Sequence, residues 1–275
     1  MITRFAPSPT GYLHLGHAKA AYEAFGFAAR HQGQCLLRIE DIDHTRCRAD
    51  YTDAIFEDLA WLGFDWPKPV RVQSAHIKDY SAVIDSLWAR GLAYPCLKTR
   101  AEIKADITAR GLTVYTRDEA APLPESDDVP CAWRLSISAC RRLLGPQFDR
   151  LTYQEIGASG EHAVIAAKAD SHGDVIIGRK DIGVSYHIAC THDDAAQGVT
   201  HIIRGDDIKT QTGIHVLLQT LMGWPVPIYH HHSLLLRADG QKLAKRDDDP
   251  SIRGMRAAGV LPKELLNRAV GDEAL

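Results

Sequence analysis

The chain has 275 residues, 45% of them hydrophobic, with 32 basic against 35 acidic side chains and a formal charge of −3. That length can bury a core as one large or two moderate domains, and the balanced charge excludes a global attraction to nucleic acid, so an RNA partner must be gripped by local patches such as Arg141-Arg142 or the series Arg253, Arg256, Lys263 and Arg268. No apolar run approaches the roughly 18 residues of a membrane helix, MITRFAPSPTG lacks the apolar segment of a secretory signal, and the six cysteines form no C-x-x-C pair, so a cytoplasmic protein with free thiols and no membrane contact is expected.

The first stretch to carry chemistry is RFAPSPTGYLHLGHAKAA. Apolar residues at 18, 21, 22, 25, 28 and 29 have helical spacing, so a helix is expected to start right after the histidines and stop near Gly33. Gly11 and Gly16 have the G-x-x-x-x-G spacing of a phosphate-binding loop, but His17 and Ala18 stand where that loop needs Lys and then Ser or Thr. A G-x-G-x-x-G fingerprint is absent, and His14 and His17 lack both the H-E-x-x-H spacing and an obvious third metal ligand. Two imidazoles at a helix N-terminus do suit phosphate oxygens, because the N–H groups and the dipole there favour anions. Glycine at 16 would let a nucleotide lie close to the backbone.

Next, QCLLRIEDID reads as a strand over 35–39 that delivers acidic side chains at its end. Helical patterns follow around Ile55, Leu59 and Leu62, and from Tyr80 to Trp88 up to Gly91. This alternation predicts a parallel sheet with helices on its faces, and ligands at the carboxyl ends of its strands. TRDEAAPLPESDDVP (116–130) marks a linker or insertion, after which CAWRLSI, AVIAAKA and DVIIG read as short strands. The α/β pattern returns with the strand and loop THIIRGDD and a helix carrying Ile214, Leu217, Leu218 and Leu221, ended by Gly223. His230 to His232 alternate across a strand and cannot share one face. Lys242-Leu243-Ala244-Lys245-Arg246 follows a turn, and its ammonium groups could follow charge onto a leaving pyrophosphate. A last helical stretch begins near Ser251.

APSPTGYLHLGH resembles the HIGH region of class I aminoacyl-tRNA synthetases, with His14-Leu15-Gly16-His17 standing for that motif. KLAKR resembles their KMSKS loop, with Ala244 replacing the serine. RFAPSPTG, RIEDID, THDDAAQGVTHIIRGDD and YHHHSLLL are similar to the glutamate-specific group, and the matches run in order from Arg4 to Arg246. The resemblance implies an α/β fold, a Rossmann-like parallel-sheet catalytic domain in two halves (1–95 and 186–230). Between them it implies an inserted α+β acceptor-binding-like region (96–185), and after them a KMSKS-type loop with a helical tail (231–275). Because 29 residues follow Arg246, too few for an unsupported domain of roughly 40, no C-terminal anticodon-binding domain is expected. In this respect the chain is similar to the short group of the family, the glutamyl-Q tRNA(Asp) synthetases.

The resemblance further implies roles. His14, His17 and Lys245 are the expected catalytic groups, with Gly16 and Lys242 completing the ATP site and Mg²⁺ travelling with ATP as substrate. Glutamate is expected to meet Arg4, Ala6, Pro7, Ser8, Glu40, Tyr186 and Arg204, with Glu40 taking its ammonium group and the arginines offering planar, always-charged forks to carboxylates. The expected partners are glutamate and queuosine-containing tRNA(Asp), with glutamate activated before tRNA binds, and the protein a monomer. The group often carries zinc in its insertion on Cys-x-Cys and a later Tyr-x-x-x-Cys. Here Cys96-Leu97-Lys98 keeps one thiol and Glu119 stands four residues after Tyr115, so no metal site is expected, and packing around Ile103 and Ile107 would hold the region instead. A truncated ordinary glutamyl-tRNA synthetase and a non-catalytic tRNA- or nucleotide-binding relative are the alternatives.

Overall fold

The computed structural model of the chain describes residues 1–124, 130–235 and 250–271. Its first part alternates β1 (Ile2–Phe5), α1 (Leu15–Arg30), β2 (Gln34–Ile39), α2 (Ala49–Trp61), β3 (Arg71–Val72) and α3 (Ile77–Ala89). The middle part holds β4 (Ala93–Cys96), α4 (Arg100–Ala109), β5 (Ala132–Leu135), α5 (Ile137–Leu144), β6 (Thr152–Ile156), β7 (His162–Ala166) and β8 (Ile176–Gly178). Then come α6 (Tyr186–Ala196), β9 (His201–Gly205), α7 (Thr212–Met222), β10 (Ile228–His232), α8 (Ile252–Ala257) and α9 (Pro262–Val270). No described helix is long and apolar enough to cross a membrane.

Strands β1, β2 and β3 pair in parallel, as do β9 with β10 and β10 with β6. The two sheets abut where the Thr200 N–H donates to the Ile2 carbonyl at 2.9 Å. Strand order therefore runs outward from this seam, to β2 and β3 on one side and to β10, β6 and β7 on the other, which makes the seam a topological switch point. Ala18, Ala21, Ala24 and Ala28 on α1 are buried, and side chains this small let the helix lie close to β1 and β2. A separate antiparallel sheet, β4-β5-β8, lies in the middle part, whereas the β6–β7 hairpin from the same stretch joins the main sheet.

Several expectations need correction. Helix α1 starts at Leu15, three residues early, because His14 caps it and His17 lies in its first turn. The strand expected over CAWRLSI ends at Leu135: Ser136 caps α5, its Oγ accepting from the Ala139 N–H at 3.3 Å, and Ile137 and Cys140 fall on one buried face. Helix α4 buries no residue, so Ile103 and Ile107 do not hold it; it is tied by the reciprocal Thr99–Glu102 cap and by Lys98 on Asp106 at 2.6 Å. The tail is two helices, broken at Gly259 with φ +85° and restarted at Pro262. The basic patches are largely compensated. Arg141 pairs with Asp149 and Asp170, Arg142 with Glu119 and Arg268 with Glu264, while Arg253 and Arg256 lie over the rings of Tyr12 and Trp61.

Candidate active site

The seam between β1 and β9 brings together the carboxyl ends of several strands. Beyond β1 the chain turns through Ala6, Pro7 and Ser8 into α1, whose N-terminus faces the same opening. His14 Nδ1 accepts from the Gly16 N–H at 3.1 Å, and His17 Nδ1 accepts from the His14 N–H at 3.2 Å. Both rings thus spend Nδ1 on the helix end, so in their neutral form the proton sits on Nε2, and the rings lie 3.9 Å apart. Two N–H donors at a positive helix end form an anion-binding arrangement. A side chain at position 16 would press on the first of those rings: a Cβ there would come within 3.0 Å of His14 Cε1.

Arg4, Ala6, Pro7, Ser8, His17, Glu40, Tyr186 and Arg204 line one cavity of about 600 Å³, with His14 and Gly16 beside it on the cap of α1. Its walls carry buried charges. Arg4 and Arg38 both hold Asp194, at 3.1 and 2.9 Å, and Arg38 also reaches Glu40 at 3.2 Å. Burial pushes the Glu40 carboxyl above its usual range, against the pull of Arg38 and Arg4; an ammonium group brought beside it would favour the carboxylate. Burial likewise raises the Tyr186 phenol, so it stays neutral and donates. Arg204 is held by His215, His231 and Thr212.

A second cavity of about 750 Å³ shares Ser8, Thr10, Glu40 and Tyr186 with the first and is rimmed by Arg46, Arg100, Arg179 and Lys180. Asp43 organises that rim through Thr45, Arg46 and Arg179. Although burial opposes it, hydrogen bonds from Thr45 and Arg46 hold its carboxyl down at about 2. Sequence reasoning missed these residues, together with Arg38, Asp193, Asp194, Thr212 and His215. One signal was available: Asp193 and Asp194 are adjacent acids inside a helix whose neighbours Ile188, Ala189 and Cys190 are buried, and a buried acid needs a cation.

Lys242 and Lys245 lie outside the described residues, which resume at Pro250. Among the residues that follow, the Ile252 N–H donates to the Leu13 carbonyl at 2.8 Å and Ser251 pairs with His14, so the start of α8 is fastened to the cap of α1. The family's zinc does not fit the residues present. Cys96 is buried, Lys98 is engaged by Asp106 and lies 5.6 Å over the Tyr115 ring, and Glu119 is held by Arg142 and Ser138. A cation at position 98 occupies the place of a thiolate. Among the described residues no group of three His, Cys, Asp or Glu side chains could hold a metal ion.

Comparison with known proteins follows the same lines. The family model described as "tRNA synthetases class I (E and Q), catalytic domain" matches residues 1–270. A glutamyl-Q tRNA(Asp) synthetase of Rhodobacter capsulatus is 40% identical over 98% of this chain and 100% of its own length. A glutamate--tRNA ligase of Aquifex aeolicus is 35% identical over 96% of the chain, which spans 55% of that ligase. The crystal structure of a glutamate tRNA ligase from Elizabethkingia meningosepticum, in complex with its amino acid, superposes with a TM-score of 0.76 at 28% identity, covering 98% of this chain and 60% of that one. The chain belongs to the class I aminoacyl-tRNA synthetases, in the glutamate and glutamine group, and is a ligase of that family.

Proposed function

We propose that the protein activates glutamate with ATP to glutamyl-adenylate, without needing tRNA, and passes the glutamyl group to the queuosine base of tRNA(Asp). The observation that carries this reading is the single cavity in which Arg4, Glu40, Tyr186 and Arg204 face one another next to the capped N-terminus of α1. Glutamate has two anionic ends and one cationic end. In this site its side-chain carboxylate meets Arg204, its ammonium group meets Glu40, and Tyr186 and Arg4 orient the α-carboxylate. ATP then lies with its phosphates at His14 and His17.

The chemistry is in-line attack of the α-carboxylate on the α-phosphate, forming a mixed anhydride and releasing pyrophosphate. Two like charges must approach, so the protein contributes mainly positioning and electrostatics. The Nε2–H groups of His14 and His17 donate to phosphate oxygens as charge builds on them, with Lys242 and Lys245 assigned to the departing pyrophosphate. Mg²⁺ enters with ATP and shares that charge. The neighbouring basic cavity, rimmed by Arg46, Arg100, Arg179 and Lys180, is the place for the acceptor nucleoside and its phosphates. Its hydroxyl attacks the anhydride carbonyl and AMP leaves.

Glutamate-dependent ATP–pyrophosphate exchange, measured without tRNA and again with total tRNA, tests the first step. Transfer of labelled glutamate to queuosine-containing tRNA(Asp), against queuosine-free tRNA(Asp) and tRNA(Glu), tests the second. Exchange without tRNA and label confined to the queuosine-containing tRNA are the expected results. Acylation of tRNA(Glu) alone would assign the chain to ordinary glutamyl-tRNA formation, as in its ligase relatives. ATP binding without exchange under either condition would leave a binding protein.

A further inference from the structure

Arg204 is 6% exposed, and a buried cation is costly unless its N–H groups are satisfied. Its partners among the described residues are uncharged. Nε donates to Nε2 of His231 at 3.3 Å, one terminal nitrogen donates to Nδ1 of His215 at 3.1 Å, and the other donates to Oγ1 of Thr212 at 2.6 Å. The guanidinium also lies 5.1 Å over the Tyr229 ring. Because a guanidinium only donates, each imidazole must turn an unprotonated nitrogen toward it. His231 therefore keeps its proton on Nδ1, which faces Glu155 at 3.0 Å, and His215 keeps its proton on Nε2, which faces Nδ1 of His187 at 3.1 Å. Burial and the charge of Arg204 push both histidines below their ordinary range, His231 to about 4, so both rings are neutral at pH 7.

The opposite wall is built differently. Arg4 and Arg38 each hold the Asp194 carboxylate, whereas no carboxylate of the described residues lies within ion-pair distance of Arg204. The nearest one along its contacts, Glu155, stands behind the His231 ring and is taken up by Lys209 at 2.7 Å. We propose that His215 and His231 are positioning residues for substrate selection: by holding Arg204 through neutral acceptors, they keep its charge for the side-chain carboxylate of the ligand. An acidic amino acid completes the pair, and its amide leaves a buried charge unmatched. This inference rests on the glutamate reading above.

An isosteric pair separates charge from shape. In His215→Asn the amide oxygen stands where Nδ1 stood, and His215→Asp has the same shape with a negative charge. Glutamate-dependent exchange is measured against glutamate and glutamine concentration, with folding followed by thermal unfolding. The Asn variant is expected to keep the glutamate-over-glutamine preference within about threefold, while the Asp variant raises KM for glutamate at least roughly tenfold, with kcat less affected, and narrows the preference. Equal behaviour of the two variants overturns the proposal while wild-type activity keeps the functional reading intact. Where His215→Asp fails to fold, His231→Gln and His231→Glu make the same comparison. A wild-type protein with no exchange, with or without tRNA, removes the functional reading and this proposal with it.

Discussion

A Cβ on Gly16 would stand 3.0 Å from Cε1 and 3.1 Å from Nδ1 of His14. Both contacts are tight, and the ring is what must move. Alanine in a helix is worth up to about 1 kcal/mol over glycine, so Gly16→Ala should leave the thermal midpoint equal or higher. Exchange should nonetheless fall at least about tenfold, since small misplacements of a catalytic group are expensive. Full activity with a raised midpoint would show that the position of His14 is not critical. The example also marks what can be read at this scale. Arg4, Glu40, Tyr186 and Arg204 could be singled out because they sit in short stretches with recognisable neighbours, and the fold brings the four to one cavity. The closeness of the His14 ring to Gly16 was not legible, because no one-dimensional pattern reports where a side chain folds back. His215 was illegible for a related reason. A single histidine among Ile214, Val216 and Leu217 reads as core, and its partner Arg204 lies on another element.

At the scale of elements, the start of α8 is fastened to the cap of α1, and α8 packs on α2. Ser251 caps α8, its Oγ accepting from the Gly254 N–H at 3.0 Å. Ser251→Ala should cost about 1 kcal/mol of stability in denaturant unfolding. It should also slow exchange more than it raises KM for ATP, because loosening the start of α8 loosens the backbone pairing of residue 251 with His14; an unchanged kcat would detach α8 from the site. The α2–α8 contact also buries Asp58, 1% exposed, whose Oδ2 has no hydrogen-bond partner among the described residues. Burial raises its carboxyl from 3.8 to about 6, against the pull of Arg253 and Arg256. The folded chain thus holds this proton up to about pH 6, while the unfolded chain releases it near 3.8. Stability is therefore lost as pH rises through that window. Asp58→Asn should be more stable than wild type by about 1–2 kcal/mol at pH 7.5 and equal to it near pH 4; an equal difference at both values would rule out titration as the cause. Element types were legible wherever one apolar period ran for three turns. They failed at α5, where a capping serine starts a helix directly after a strand, and in the tail, where Gly259 breaks the pattern.

For the whole molecule, the question is what joins two stretches of sheet whose seam strands, β1 and β9, lie almost two hundred residues apart in the chain. The order of strands was not legible, because pairing such as β6 with β10 joins segments whose composition says nothing about each other. Hydrophobic packing spans the seam, but so does a buried ionic knot centred on Arg38, which is 0% exposed on β2. Arg38 holds Asp194 at 2.9 Å and Glu40 at 3.2 Å, with Asp193 at 4.0 Å, and Asp193 is held in turn by Arg71 at 2.7 Å, by Gln73 and by Tyr80. Asp193 and Asp194 come from α6 and the cations Arg4, Arg38 and Arg71 from β1, β2 and β3, so the knot ties the second half of the catalytic sheet to the first. Replacing a whole buried network by apolar residues can be neutral, but removing one partner strands the others without compensation. Arg38→Met leaves Asp194 to Arg4 alone and Glu40 without its nearest cation. Denaturant unfolding should therefore show a loss of about 3–5 kcal/mol. The double variant Arg38→Met with Asp194→Leu should recover part of that loss, while lowering glutamate affinity through Arg4, which loses its carboxylate partner and keeps its hydrogen bond to the Ile203 carbonyl at 3.3 Å. A single variant as stable as wild type would mean that apolar packing alone holds the halves together, leaving the knot to orient Arg4 and Glu40 within the cavity.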